Sequence, residues 1–287
     1  MALPGGARRG LALCPRRVRV SGHRSEERAM QTIAFTTGLD PAEAPAITTA
    51  AALAAASGAR LVTVHATVGA PSARALPHPE ELASRWGRDI AHDEMIHTCC
   101  EDVTDTLLDA LRRVKPELIV AGTHQRTGLS QLFGGSVAES VARNVVVPTL
   151  VVPLHGKGLA DVGTGALDLH RILVPAGDTE ATGKGLEAAA WLARAAGVTD
   201  PEVVLLHVDD GTPMPTLDAI PDGLRVVKRT AKGSLEEAIA KASDELSTCA
   251  IVMATRGHDG LVDTFAGSHT ERVVRKVHCP VLAVPLP

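Results

Sequence analysis

Residues 117–153, ELIVAGTHQRTGLSQLFGGSVAESVARNVVVPTLVVP, return 132 positions later as residues 249–285, CAIVMATRGHDGLVDTFAGSHTERVVRKVHCPVLAVP. Laid over each other without a gap, the two stretches are identical at sixteen of thirty-seven positions, among them Thr123/Thr255, Gly135/Gly267, Ser136/Ser268, Glu139/Glu271, Arg143/Arg275 and Pro148/Pro280. The chain therefore contains one ancestral unit twice. Each copy reads as a short apolar run (Leu118 to Ala121; Ala250 to Met253), a Gly/Thr/Ser-rich loop, a helix, and a second apolar run ending in proline. Strand, long loop, helix and strand make a crossover between parallel strands, which predicts an α/β fold. Ser136 with Glu139, and Ser268 with Glu271, fit the S-x-x-E pattern of a capped helix start, so a glycine followed by unpaired backbone N–H groups should lie beyond the end of a parallel strand, where an anion can lodge.

Working outward, the rest of each half repeats the same alternation. In the first half, strands are predicted over Thr32 to Thr37, Arg60 to His65 and Met95 to Cys100, with helices over Pro45 to Ser57, Glu80 to Glu94 and Glu101 to Val114. Gly58 ends the first helix at a position that needs a positive φ. In the second half, strands are predicted over Arg171 to Ala176, Val203 to Val208 and Leu224 to Thr230, with helices over Lys184 to Ala196 and Ser234 to Leu246, the latter opened by a capping box of Ser234 and Glu237. The domains are expected at 30–154 and 169–287. Residues 155–168, HGKGLADVGTGALD, with four glycines, read as a flexible crossing between them. Residues 1–29, with seven arginines and no apolar periodicity, read as a disordered or non-native tail before Met30.

Composition narrows the function. Only 2% of residues are aromatic, none is tyrosine, and the net charge is −4; base-stacking platforms and basic surfaces for nucleic acid are not provided for. No apolar run approaches the length of a membrane span. The five cysteines are odd in number and show no C-x-x-C, which fits a reducing cytoplasm and no zinc knuckle. His92, His97, Cys99 and Cys100 form one cluster to weigh as metal ligands, but a strand there sends Cys100 to the face opposite His97 and Cys99, and no metal is expected. The stretch from Gly177 to Gly185, GDTEATGKG, falls one residue out of register with a phosphate loop. His65 and His207, at matching strand ends, read as structural repeats rather than bases, and no catalytic constellation is expected.

These motifs carry a family resemblance. Both copies resemble the C-terminal half of a universal stress protein domain, whose nucleotide-binding members have G-x2-G-x9-G-[ST] after the fourth strand. Copy one offers Gly122, Gln125, Gly135 and Ser136; copy two offers Ala254, Gly257, Gly267 and Ser268. Each keeps the spacing and the final Gly-Ser and departs at one glycine. The resemblance implies two tandem Rossmann-like (adenine nucleotide alpha hydrolase-like) domains, each a five-stranded parallel sheet in order 3-2-1-4-5 with helices on both faces. It implies a cytoplasmic stress-response module holding ATP or a related adenine nucleotide at the strand-4 loop of one or both domains, with Mg²⁺ only as it accompanies nucleotide. The binding residues it points to are Gly122, Thr123, His124, Gly135 and Ser136 in the first half and Gly177, Asp178, Val208, Thr255, Arg256, Gly257, Gly267 and Ser268 in the second. The family's strand-1 aspartate does not carry over: Gly38 and Gly177 stand there, with Asp40 and Asp178 nearby. The resemblance further implies domain pairing through the strand-5 edges, with a homodimer as a further expectation. A scaffold with degenerate loops is the alternative function, and weak ATP hydrolysis the remaining enzymatic reading.

Overall fold

The computed structural model describes residues 30–68, 76–99, 103–123, 147–154, 156–217, 219–255 and 269–286. Among the described residues ten strands form one sheet: β1 (Thr32–Thr36), β2 (Arg60–Val68), β3 (His92–Cys99), β4 (Leu118–Thr123), β5 (Thr149–Pro153), β6 (Arg171–Pro175), β7 (Glu202–Val208), β8 (Arg225–Ala231), β9 (Ala250–Thr255) and β10 (Val281–Pro285). Their order is β3-β2-β1-β4-β5-β10-β9-β6-β7-β8. All neighbours run parallel except β5 and β10, which meet antiparallel with Leu150 opposite Leu282 and Val151 opposite Val281. Each half thus has its first strand inside, flanked by its second and fourth.

The described residues form six α-helices: α1 (Ala44–Ser57), α2 (Pro79–Arg85), α3 (Val103–Val114), α4 (Thr179–Ala195), α5 (Leu235–Glu245) and α6 (His269–Lys276). On one face α1 and α4 pack side by side over β1, β4, β5, β6, β9 and β10. Ile33, Phe35, Leu150, Ile172 and Leu282 join one continuous core there. The other face is divided: α3 seals Ala34, Val62, Val64 and Ile119 of the first half, and α5 with α6 seal Leu173, Leu206, Ile251 and Val281 of the second. Alanine dominates α1 because the helix is enclosed on several sides. Ala46, Ile47, Ala50, Ala51, Leu53 and Ala54 are all buried, and small side chains let it approach sheet and neighbouring helices together. Gly58, at φ 72°, terminates it by donating to the Ala54 carbonyl. Among the described residues no helix is long and apolar enough to cross a membrane.

The structure differs from the sequence expectations at identifiable places. The helix expected to reach Glu94 stops at Arg85; Gly87 turns at φ 67° and β3 begins at His92. The segment 156–168 is not a flexible crossing. Leu159 is buried, its N–H donates to Thr49 Oγ1, and Ala160 bridges Leu167 antiparallel. Asp161 accepts both the amide and the hydroxyl of Thr164, and Trp86 Nε1 donates to the Val162 carbonyl. Gly165, at φ 66°, lies so close under the Trp86 ring that a Cβ there would sit 2.3 Å from it. Its glycines serve turns and close contacts rather than slack. The α4 helix begins at Thr179, five residues earlier than expected, because Asp178 Oδ1 accepts from Ala181 N and caps it. Gly183, Lys184 and Gly185 are consequently helical and form no phosphate loop; Gly185 lies against Val174, and Lys184 pairs with Glu187. Ser234 precedes α5 but makes no side-chain capping bond, so the capping box expected there is not formed.

Candidate functional site

In the second half, β6 lies between β9 and β7. The chain leaves β6 toward β7 and leaves β9 toward β10 on the other side. The helices that follow diverge at this reversal, which opens a crevice beyond the carboxyl ends of β6 and β9. A cavity of about 550 Å³ occupies that place, within the range of roughly 300–1,000 Å³ usual for small-molecule sites. Its apolar floor includes Ala176, Met253, Leu235 and Leu286; its polar wall includes Asp178, His207, Asp210, Thr212, Thr255 and Thr270. Gly233, at φ 107° with open space where a Cβ would stand, carries the chain past the cavity.

His207, next to last in β7, stands in this wall and is 5% exposed. Its Nδ1 lies 2.9 Å from the Ala176 carbonyl and its Nε2 2.9 Å from the Thr212 carbonyl. A neutral imidazole has one N–H, so both acceptors are satisfied together only by the imidazolium. The carbonyl of Ala176, then that of Thr212, raise its pKa, outweighing the effect of burial. A positive charge is thereby favoured at the cavity wall. Asp210 titrates below the usual carboxylate range because the Thr212 hydroxyl and amide donate to it. Glu236, at the start of α5, is pushed up by burial, yet its backbone bond and the side chains of His269 and Arg272 pull it below the ordinary value. Those contacts, at 2.8 and 2.9 Å, tie the first turn of α6 to α5 at the cavity mouth.

At the corresponding place in the first half stands an acidic side chain. Glu43, 4% exposed, accepts from the Thr37 hydroxyl and, at 3.2 Å, from Gly38 N. Burial raises its pKa, against the lowering effect of those two donors. By the alignment of TIAFTTG with RILVPAG, the second half has Thr182 where Glu43 stands. Thr182 turns its hydroxyl back to the Asp178 carbonyl and fills nothing. Gly122 is hemmed in from two sides: a Cβ there would lie 2.5 Å from Leu154 Cδ2, a leucine that Leu286 repeats in the second half, and 3.1 Å from Glu43 Cγ, which Thr182 replaces. Its counterpart is Ala254, which lines the open cavity.

Of the residues singled out in the sequence, Gly177, Asp178, Val208 and Thr255 come together around the second-half cavity. Gly177 has open space where a Cβ would stand; Asp178 is occupied as the cap of α4, and the Thr255 hydroxyl donates to the Val284 carbonyl. Gly122 and Thr123 lie at the end of β4 beside Glu43; Thr123 Oγ1 is buried with no partner among the described residues. His124, Gly135, Ser136, Arg256, Gly257, Gly267 and Ser268 lie outside the described residues, and with them the capping boxes expected at Ser136 and Ser268. His65 meets the Thr37 carbonyl at 2.8 Å as His207 meets Ala176, so the pair does repeat structurally. The added bond to Thr212 makes His207 part of a site as well. Its position in the duplication was the available signal, and the second of the two carbonyls that raise its pKa, that of Thr212, sits in a loop whose sequence the first half does not repeat. Of the four residues weighed around His97 as metal ligands, His92 is engaged by Glu80 and Thr63, and Cys100 lies outside the described residues.

Comparison with known proteins agrees with this architecture. The sequence model of the universal stress protein family matches residues 30–153 and 217–285. A universal stress protein of Methanocaldococcus jannaschii is 39% identical over 79 residues, a match spanning 27% of this chain and 44% of that relative's length. The crystal structure of a universal stress protein from Archaeoglobus fulgidus superposes with a TM-score of 0.63 at 18% identity, covering 88% of this chain and 96% of that one. A structure from Pseudomonas aeruginosa, titled a putative universal stress protein, superposes at 0.57 with 14% identity, covering 90% and 94%. At these identities the two structures speak for the fold alone.

Proposed function

The chain belongs to the universal stress protein family, and on that premise we propose that it is a non-catalytic module that binds an adenine nucleotide in its second half. The observation that carries this reading is the cavity beyond β6 and β9, with His207 held between two carbonyls in its wall. His207 contributes through its field rather than through a free N–H, since both nitrogens are engaged. Asp178 and Asp210 disfavour phosphate near β6 and β7 and suit ribose hydroxyls, which directs the phosphates toward the start of α6 and the loop 256–268. Mg²⁺ arrives with the phosphates. The first half takes a different part: Glu43 brings an acid to the place where a phosphate would approach, so this half serves as structural partner.

The units are read as 30–154 and 169–287, joined by 155–168, in a cytoplasmic setting. The antiparallel meeting of β5 with β10 supports an internal pairing that covers two otherwise exposed edges; further association between chains is left to solution measurement. Thermal shift of the purified chain against ATP tests the function. ATP at about a hundred times its Kd should add roughly 2.7 kcal/mol, a rise of several degrees in Tm. His207→Gln should reduce that rise, and Glu43→Gln should leave it unchanged. No shift at millimolar ATP, with no adenine nucleotide in the as-purified protein, would establish the scaffold reading instead.

A further inference from the structure

Asp168 and His170 flank the buried Leu169 immediately before β6, and Cys249 immediately precedes β9. Both positions lie at the amino ends of these parallel strands, on the order of 17 Å of strand away from the nucleotide crevice. The backbone holds them firmly. Asp168 N donates to the Leu159 carbonyl at 2.8 Å and Cys249 N to the Arg171 carbonyl at 2.9 Å. A carboxylate oxygen, an imidazole nitrogen and a sulfur thus converge within 4.8 Å of one another. Sγ is 3.2 Å from Asp168 Oδ1 and 3.1 Å from His170 Nδ1, and Nδ1 is 2.5 Å from Oδ1.

A nucleophilic triad is excluded by which nitrogen is used. A relay through imidazole needs the carboxylate on one nitrogen and the sulfur on the other. Here both partners crowd Nδ1, and Nε2 lies 3.9 Å from Sγ. Burial, followed by Asp168, pushes the Cys249 thiol up to about 11, so without a bound cation the sulfur is not a ready nucleophile.

We propose that Asp168 Oδ1, His170 Nδ1 and Cys249 Sγ hold a divalent transition-metal ion of the zinc class, with its fourth position open to water. Bond lengths of about 2.0–2.3 Å put the donors of a tetrahedral ion roughly 3.3–3.6 Å apart; the three observed separations need widen by less than about 1 Å. The Asp168 and His170 side chains are 64% and 60% exposed, which leaves an entry path and room for a water ligand. Sulfur and imidazole together select Zn²⁺, Co²⁺ or their neighbours over Mg²⁺ and Ca²⁺. On binding, the Cys249 thiol releases its proton to solvent, and the Asp168–His170 contact gives way to two bonds to the ion.

The test uses the full chain without nucleotide, titrated with Co²⁺ alone and then displaced by Zn²⁺. One equivalent should produce thiolate-to-cobalt absorption and a tetrahedral visible spectrum, and Zn²⁺ should raise Tm where Mg²⁺ does not. Cys249→Ser should abolish the thiolate band, and His170→Gln should weaken binding by about 100-fold or more, each with an unchanged circular dichroism spectrum before metal is added. Equal affinity in wild type and both variants, or no stoichiometric binding at micromolar metal, would overturn the assignment. The nucleotide reading is untouched by either result.

Discussion

Replacing Gly122 by alanine separates two roles for a glycine that the family pattern assigns to phosphate contact. The added methyl would stand 2.5 Å from Leu154 Cδ2 and 3.1 Å from Glu43 Cγ. Leu154 and Glu43 are both buried, so at least one must move. Overpacking of this kind costs about 1–3 kcal/mol, which corresponds to a fall in Tm of roughly 2–10 °C for a chain of this size. The second half carries the compensated arrangement: Ala254 with Thr182 in place of Gly122 with Glu43. Glu43→Thr should therefore create the missing room, leaving only the mobile end of Leu154 to adjust. In a double-mutant cycle followed by chemical denaturation, Gly122→Ala should cost under about 1 kcal/mol in the Glu43→Thr background, a coupling of at least about 1 kcal/mol. ATP-dependent stabilisation should be the same in all four proteins. The reasoning is refuted if Gly122→Ala leaves stability unchanged but removes the response to ATP, because the glycine would then make way for ligand rather than for Glu43.

Other outcomes follow from the same geometry. Glu43 has its folded pKa raised by burial, so the folded state holds the proton more tightly. Its contribution to stability falls as pH rises from the model-peptide value through the folded one, and Glu43→Gln should flatten that part of a stability–pH profile. His207 is also raised, by the Ala176 and Thr212 carbonyls. Its contribution is fully present below about pH 6.5 and is lost as pH rises through the folded value. Tm curves taken upward from about pH 6.5 should lose this decline in His207→Gln, and ATP affinity should weaken with it in the native chain alone. At the β5–β10 seam, Leu150 and Leu282 face each other with no exposure. Each replaced by alanine should cost about 2–5 kcal/mol in urea denaturation, and the double variant less than the sum because the two share one cavity.

The fold was largely legible in the sequence because duplication doubles every signal. Two copies of a strand–loop–helix–strand unit fix parallel strands, and glycines 58 and 197 mark helix ends in both halves at φ near 70°. Local errors arose where tertiary contact overruled composition. The glycines of 155–168 suggested slack until Trp86 and Thr49 were found pressed against them, and Asp178 drew the start of α4 forward over residues that imitate a phosphate loop. The site was legible only in outline. Glu43 stands two residues before the helix expected from Pro45, and nothing local announces that its carboxyl reaches Thr37 and Gly38. The Asp168, His170 and Cys249 group was equally hidden, since the third residue is separated from the first by 81 positions and only the adjacency of β6 and β9 brings them together.

The seam between β5 and β10 has one more effect. Because the direction of travel reverses there, the mouth beyond β6 and β9 and the Glu43-stoppered mouth beyond β1 and β4 point away from each other, out of opposite ends of the same slab. A small molecule entering one cannot touch the other, and a flat macromolecular partner cannot cap both at once. A partner docked at the Glu43 end would lie on the same edge of the sheet as the Asp168, His170 and Cys249 group, and not on the edge that carries the second-half cavity.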